Sequence, residues 1–137
     1  MICLQRIKNE RTDKMGVEIT AAGRVLCARL IGDIDHHTAK QLRGDIDIAV
    51  NENDPEELIL DFSAVTFMDS SGIGLVMGRY KLMQERGGRL VVAKTPPYIS
   101  KVMRVSGISR LARIVTDYEL PNEEASGEVV KVETANQ

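Results

Sequence analysis

The chain has 137 residues, 43% of them hydrophobic, and 18 lysines and arginines against 20 aspartates and glutamates, for a net charge of −2. That size suits one domain with a single core, and the interspersed charges form no basic stripe along a phosphate backbone, so nucleic acid is not expected as a partner. No apolar run approaches the ~18 residues of a membrane span, the opening MICLQRIKNERTDK turns charged too early for a signal peptide, and Cys3 and Cys27 match no metal or redox spacing. We therefore expect a cytoplasmic protein with no membrane contact, no metal and no cofactor, its cysteines acting as small hydrophobes in a reducing compartment.

In chain order, residues 1–14 are mixed and charged at their end, and read as an arm able to add an edge strand. Val17–Ala21 and Val25–Gly32 alternate or run apolar around an Ala-Gly-Arg turn, which predicts a hairpin with Gly23 at its tip. From Thr38 the period changes. Apolar residues at Ala39, Leu42, Ile46, Ala49 and Val50 predict a helix, stopped by Pro55. Leu58–Phe62 (LILDF) has almost no polar face, as a strand covered on both sides requires. The helical period returns from about Ser71 to Arg86 and stops at Gly87-Gly88. Arg89–Ala93 predicts a buried strand; Thr95 and Pro96 have the form of a helix start, giving a short helix from Pro97 to Ser106 closed by Gly107. Leu111–Val115 predicts a last strand, and residues 121–137 read as a polar tail. The order implies an α/β domain over residues 15–120, with one small mixed sheet of four to five strands and three to four packed helices.

The segment FMDSSGIGLVMGRYK (Phe67 to Lys81) carries the functional question. At ~100° per residue, Ile73, Val76, Met77, Tyr80 and Met83 lie opposite Ser71 and form the expected core face. Ser71, Gly74, Leu75, Gly78 and Leu82 form the other face, expected to meet solvent. A merely solvated face would carry Lys, Glu and Gln, and each interior glycine costs about 1 kcal/mol relative to alanine. Close approach of a partner would compensate.

Three readings of Asp69-Ser70-Ser71-Gly72 compete. A nucleophilic serine would sit in G-x-S-x-G and need a histidine base, for which His36 and His37 are the candidates. A phosphate-cradling loop would show a dinucleotide or P-loop spacing, and neither occurs. A phosphoacceptor at a helix start, with contact surface behind it, fits best; Asp69 and Ser70 can cap the helix at the same time. The adjacent histidines point apart and make a poor chelate. Asp35 or a neighbour is expected to cap the following helix, Arg79 and Lys81 to solubilise theirs, and Tyr80 to pack with a wet hydroxyl.

GDIDHHTA (Gly32 to Ala39), the D-S-S-G-I-G core of the serine segment, and GGRLVVAKTPPYISKVMRVSGI (Gly87 to Ile108) together resemble the STAS-domain anti-sigma factor antagonists, and D-H-H-T-A narrows this to the sporulation branch. The resemblance spans roughly residues 17–115 and implies the STAS fold. It implies that the unphosphorylated protein binds an anti-sigma factor, itself an ATP-dependent serine kinase, and so frees a sigma factor. Phosphorylation by that kinase reverses the binding, and a metal-dependent serine phosphatase resets it. The acceptor implied is the second serine, Ser71, with Asp33, Asp35, His36 and His37 in a loop beside it. The expected partner surface is thus Asp33, Asp35, His36, His37, Asp69, Ser70, Ser71, Gly72, Gly74, Leu75, Gly78 and Leu82. The chain itself is expected to be a monomer when free and not an enzyme. A STAS module of general stress signalling or of a transporter complex is the alternative within the fold; a serine-dependent hydrolase is the alternative outside it. Family members usually close with a C-terminal amphipathic helix, which Pro121 and the polar stretch after it put in question.

Overall fold

The computed structural model describes residues 5–8 and 16–121. Six strands form one sheet in sequence order. β1 (Gln5–Lys8) and β2 (Gly16–Ala22) pair antiparallel, as do β2 and β3 (Val25–Ile34). Gly23, at φ 63°, takes the left-handed conformation that the tight turn between β2 and β3 demands. β4 (Glu57–Met68), β5 (Arg89–Ala93) and β6 (Arg113–Val115) then add in parallel. Parallel neighbours need crossovers, supplied by α1 (His36–Asn53), α2 (Ser70–Glu85) and α3 (Pro97–Ser106).

Side-chain alternation divides each central strand between two layers. Leu26, Ala28 and Leu30 of β3, Leu58 and Leu60 of β4, and Leu90 and Val92 of β5 meet the helices in the main core, with Leu42 and Ile46 of α1, Val76 and Met83 of α2, and Ile99 and Met103 of α3. Cys27, Ile59, Val91 and Ala93 face the other way, where Tyr118 and Leu120 pack over them. The central strands are therefore covered on both sides, which is why LILDF has so little polar character. Asp61 is the exception, and it is only 2% exposed. Tyr118 Oη donates to its Oδ2 at 2.6 Å and the Ser63 amide to its Oδ1 at 2.8 Å. Cys27 Sγ donates to Tyr118 Oη at 3.2 Å, and burial pushes the thiol up to about 11. Burial, then the bond to Asp61, raises the Tyr118 phenol well above its ordinary range.

The α/β class is as expected, with six strands where four to five were predicted, β1 being the arm's edge strand. Several boundaries move. α1 starts at His36, because Asp35 and not a later residue caps it, and its C-cap Asp54 adopts φ 47° before Pro55. β4 continues to Met68, and β6 starts only at Arg113 after a 3₁₀ turn over Ile108–Arg110. Pro96, not Thr95, occupies the N-cap of α3; Thr95 Oγ1 instead shares a 2.6 Å hydrogen bond with Ser100 Oγ. Cys3 and the tail from residue 122 lie outside the described residues, so the C-terminal helix question lies there too. Among the described residues no helix is long and apolar enough to cross a membrane.

Candidate functional site

Two parallel strands ending side by side create the site. Asp33 lies in register with Phe67 across β3 and β4, and the Asp69 amide donates to Ile34 O at 3.1 Å, so the β3–α1 and β4–α2 connections are neighbours. Each helix begins with an aspartate cap. Asp35 Oδ1 accepts from the Thr38 amide at 2.9 Å while Thr38 Oγ1 accepts from the Asp35 amide at 2.9 Å, a reciprocal capping box. That backbone bond, chiefly, holds the Asp35 carboxyl below its ordinary range. Asp69 Oδ1 accepts from the Ser71 amide at 2.8 Å. Asp33 is exposed and its carboxylate accepts from Thr66 Oγ1.

The residue before Asp69 is fixed from α3. Tyr98 Oη donates to Met68 O and accepts from the Met68 amide, both at 2.9 Å. Gly72 packs on the same residue: a Cβ there would overlap the Met68 side chain. The glycine of D-S-S-G is thus a packing requirement, and Gly72 is buried.

α2 sits differently from the apolar wheel. Leu75, expected at the surface, is 3% exposed, and Arg79, expected to solubilise the helix, is 5% exposed. The buried face runs through Gly72, Leu75, Val76, Arg79 and Met83, about a quarter turn from the expected one. Ile73, Met77, Tyr80 and Leu82 are partly buried at its edges. Tyr80 keeps its hydroxyl accessible, accepting from Gln84 Nε2 at 3.3 Å. The rotation follows from α1, where Asp47 receives Arg79 and lets a guanidinium turn inward. Ser70 is therefore the exposed serine of the two, and Ser71 is half-buried at the boundary instead of facing solvent.

An open groove of about 550 Å³ runs between α1 and α2, lined by His36, Ala39, Lys40 and Arg43 on one side and Ser71, Gly74, Leu75, Gly78 and Arg79 on the other. Leu75 is its apolar floor. A Cβ on Gly74 or Gly78 would meet no atom within 4 Å, so packing within this chain does not require either glycine. Of the expected surface, His36, Ser71, Gly74, Leu75 and Gly78 come together here, with Asp33, Asp35, Asp69 and Ser70 at or beside the two helix starts. His37 is exposed but does not line the groove, nor does Leu82. Lys40 and Arg43 do line it and were not foreseen. Their signal was the spacing His36, Lys40, Arg43, one face of a helix at i, i+4 and i+7, which the apolar stripe of α1 does not mark. Among the described residues neither imidazole hydrogen-bonds Ser71, and no group of three His, Cys, Asp or Glu is placed to hold a metal.

The STAS domain model matches residues 16–120, and the chain belongs to the STAS domain family. Within it, an anti-sigma F factor antagonist of Paenibacillus polymyxa is 37% identical over 90 residues, 66% of this chain and 77% of the relative. Two solved structures at 31% identity match the fold. The anti-sigma factor antagonist SpoIIAA in its unphosphorylated form gives a TM-score of 0.63 over 82% of this chain and 92% of that one. The Bacillus cell fate determinant SpoIIAA in the phosphorylated form gives 0.59 over 82% and 96%. The resemblance carried by the serine segment and its flanks is thus borne out at the level of family and fold.

Proposed function

We propose that this chain is an anti-sigma factor antagonist. Its unphosphorylated form binds an anti-sigma factor serine kinase in the bacterial cytoplasm and so releases the sigma factor, and phosphorylation of Ser71 switches that binding off until a serine phosphatase resets it. The chain is substrate and ligand rather than enzyme, and a monomer when free. Relatives and structural neighbours named as anti-sigma factor antagonists, one of them solved phosphorylated, support this reading.

The observation that carries it is Ser71 at the lip of an open groove whose α2 wall is bare backbone at Gly74 and Gly78. A partner helix or loop can approach α2 there more closely than any side chain would allow. Asp33, Asp35, His36 and His37 supply the adjoining α1 side of the surface, Asp69 and Ser70 the α2 start, and Leu82 its far edge. Gly72 and Leu75 act from beneath, holding the helix start and the groove floor.

In the transfer, Ser71 Oγ forms a bond to the γ-phosphorus of ATP held by the partner, the bond to the bridging oxygen of the departing ADP breaks, and the hydroxyl proton leaves to a base of the kinase. The product carries about −1.5 to −2 charges. At the first turn of α2 the helix dipole tolerates that charge, so the fold persists. A partner covering the same turn would have to strip water from it beside Asp69. A loss of ~2.8 kcal/mol already weakens binding a hundredfold, and burying a charge whose lost hydration is not fully replaced exceeds that. Incubation with the cognate kinase-type anti-sigma factor and ATP, followed by peptide mapping by mass spectrometry, tests the assignment: phosphate on Ser71 is expected, and phosphate on Ser70 would refute it.

A further inference from the structure

We infer that the groove between α1 and α2 is a receiving site for the phosphoryl group of Ser71 itself, with Lys40 and Arg43 as its counterions in cis. The inference rests on Ser71 being the phosphoacceptor and adds where the phosphate goes. Ser71 is half-buried on the groove wall, so a group attached to its Oγ starts inside the groove's lip and not in bulk water. Facing it from α1 are His36, Lys40 and Arg43, spaced to share one helix face. Among the described residues no carboxylate lines the groove.

The nearby charges are already engaged. Arg79 is tied to Asp47, with Nε 2.9 Å from Oδ1. The Asp69 and Asp35 carboxylates accept from the first-turn amides of Ser71 and Thr38. Lys40 and Arg43 are exposed and form no ion pair among the described residues, although Arg43 lies close enough to act on both Asp47 and Arg79. Gly74 and Gly78 add no side chain of their own to the α2 wall beside Ser71. A phosphate monoester there brings about −1.5 to −2 charges to two cations, and a guanidinium presents the fork that pairs with phosphate oxygens. The phosphorylated groove is then filled and nearly neutral where the unphosphorylated one is open and positive. A partner reading this surface would meet a changed shape and a quenched charge together.

The test places phosphoserine directly at position 71 during translation of the full chain, so that no kinase is needed. Its second ionisation is followed by ³¹P NMR in the native background and in Lys40→Gln/Arg43→Gln, with phosphoserine at position 70 and Lys81→Gln as controls. The ordinary second pKa is about 6. At position 71 it should lie lower than at position 70 by about half a unit or more, and the double substitution, which alters only exposed positions, should abolish that difference while Lys81→Gln leaves it. An unchanged value in the double variant would overturn the inference, the helix start alone then accounting for any lowering. Circular dichroism checks that the variants fold. Because the phosphate is installed rather than transferred, this result stands apart from the kinase mapping, which tests the acceptor assignment by itself.

Discussion

Arg79 of α2 reaches across to Asp47 of α1, with Nε 2.9 Å from Oδ1 and Nη2 donating to Oδ2 at 3.3 Å, and the contact fastens the two helices that wall the groove. The closer approach is electrostatic; Nε–H is not aimed at Oδ1 as a hydrogen bond. Burial raises the Asp47 carboxyl and lowers Arg79, and each partner's charge opposes the shift of the other. The two sides are unequal, since the Arg79 side chain is 6% exposed and that of Asp47 34%. Asp47→Ala strands a buried cation and should cost about 2 kcal/mol, less than the 3–5 of a wholly buried pair because water reaches the vacated side. Arg79→Met leaves a carboxylate that can hydrate, and should cost less. Urea unfolding of both variants checks the order, and equal losses would contradict it.

The glycines of α2 separate stability from binding. Gly78→Ala has room for its methyl group and gains helix propensity, so it should stabilise the fold by up to about 1 kcal/mol. The same methyl stands on the groove wall and should weaken the anti-sigma factor complex by tenfold or more. Gly72→Ala should instead destabilise by about 1–3 kcal/mol, because it overpacks Met68. Thermal melts with partner titrations read both effects.

On the far side of the sheet, Tyr118→Phe removes the donor to Asp61 Oδ2. Asp61 is buried, and the bond it loses is not replaced by water at no cost, so a loss of about 1–3 kcal/mol is expected. Denaturant midpoints measured beside Cys27→Ala, which keeps the Tyr118–Asp61 bond, give the comparison, with the smaller effect expected for the cysteine variant.

Acid should weaken the cap of α1. The folded Asp35 carboxyl lies below its ordinary value of 3.8, held first by the Thr38 amide. Its contribution is therefore complete above the unfolded-state value and lost as pH falls through the lower folded-state value. Asp47 has the opposite sign, its raised carboxyl favouring the fold less as pH climbs above 3.8. Asp35→Asn keeps a capping oxygen without the charge, so its melting temperature should fall less between pH 5 and pH 2 than that of the native chain.

Much of this architecture was legible because local chemistry and tertiary packing agree. Alternation marked β2 and β3, the unbroken apolar run marked β4 as doubly covered, and Gly23, Gly87 and Gly107 sit at positive φ where the turns were read. The D-S-S-G segment lies at the start of α2, one residue from where the helix was read to begin, and GDIDHHTA spans the end of β3 and the start of α1. The orientation of α2 was not legible, because a wheel that counts only apolar residues places Arg79 outside, and its burial depends on Asp47, 32 residues earlier. The exposure of Leu75 failed with it. Tyr98 was equally hidden, since its bonds to Met68 join positions 30 residues apart that only the folded chain brings together.

The central claim is that charge on Ser71 controls partner binding without disturbing the fold. Calorimetric titration of the anti-sigma factor with Ser71→Ala and Ser71→Glu tests it most directly. Ser71→Ala should bind as the unphosphorylated protein does, and Ser71→Glu should bind at least tenfold more weakly, about 1.4 kcal/mol, with an unchanged circular dichroism spectrum. Equal affinities for the two variants would contradict the account.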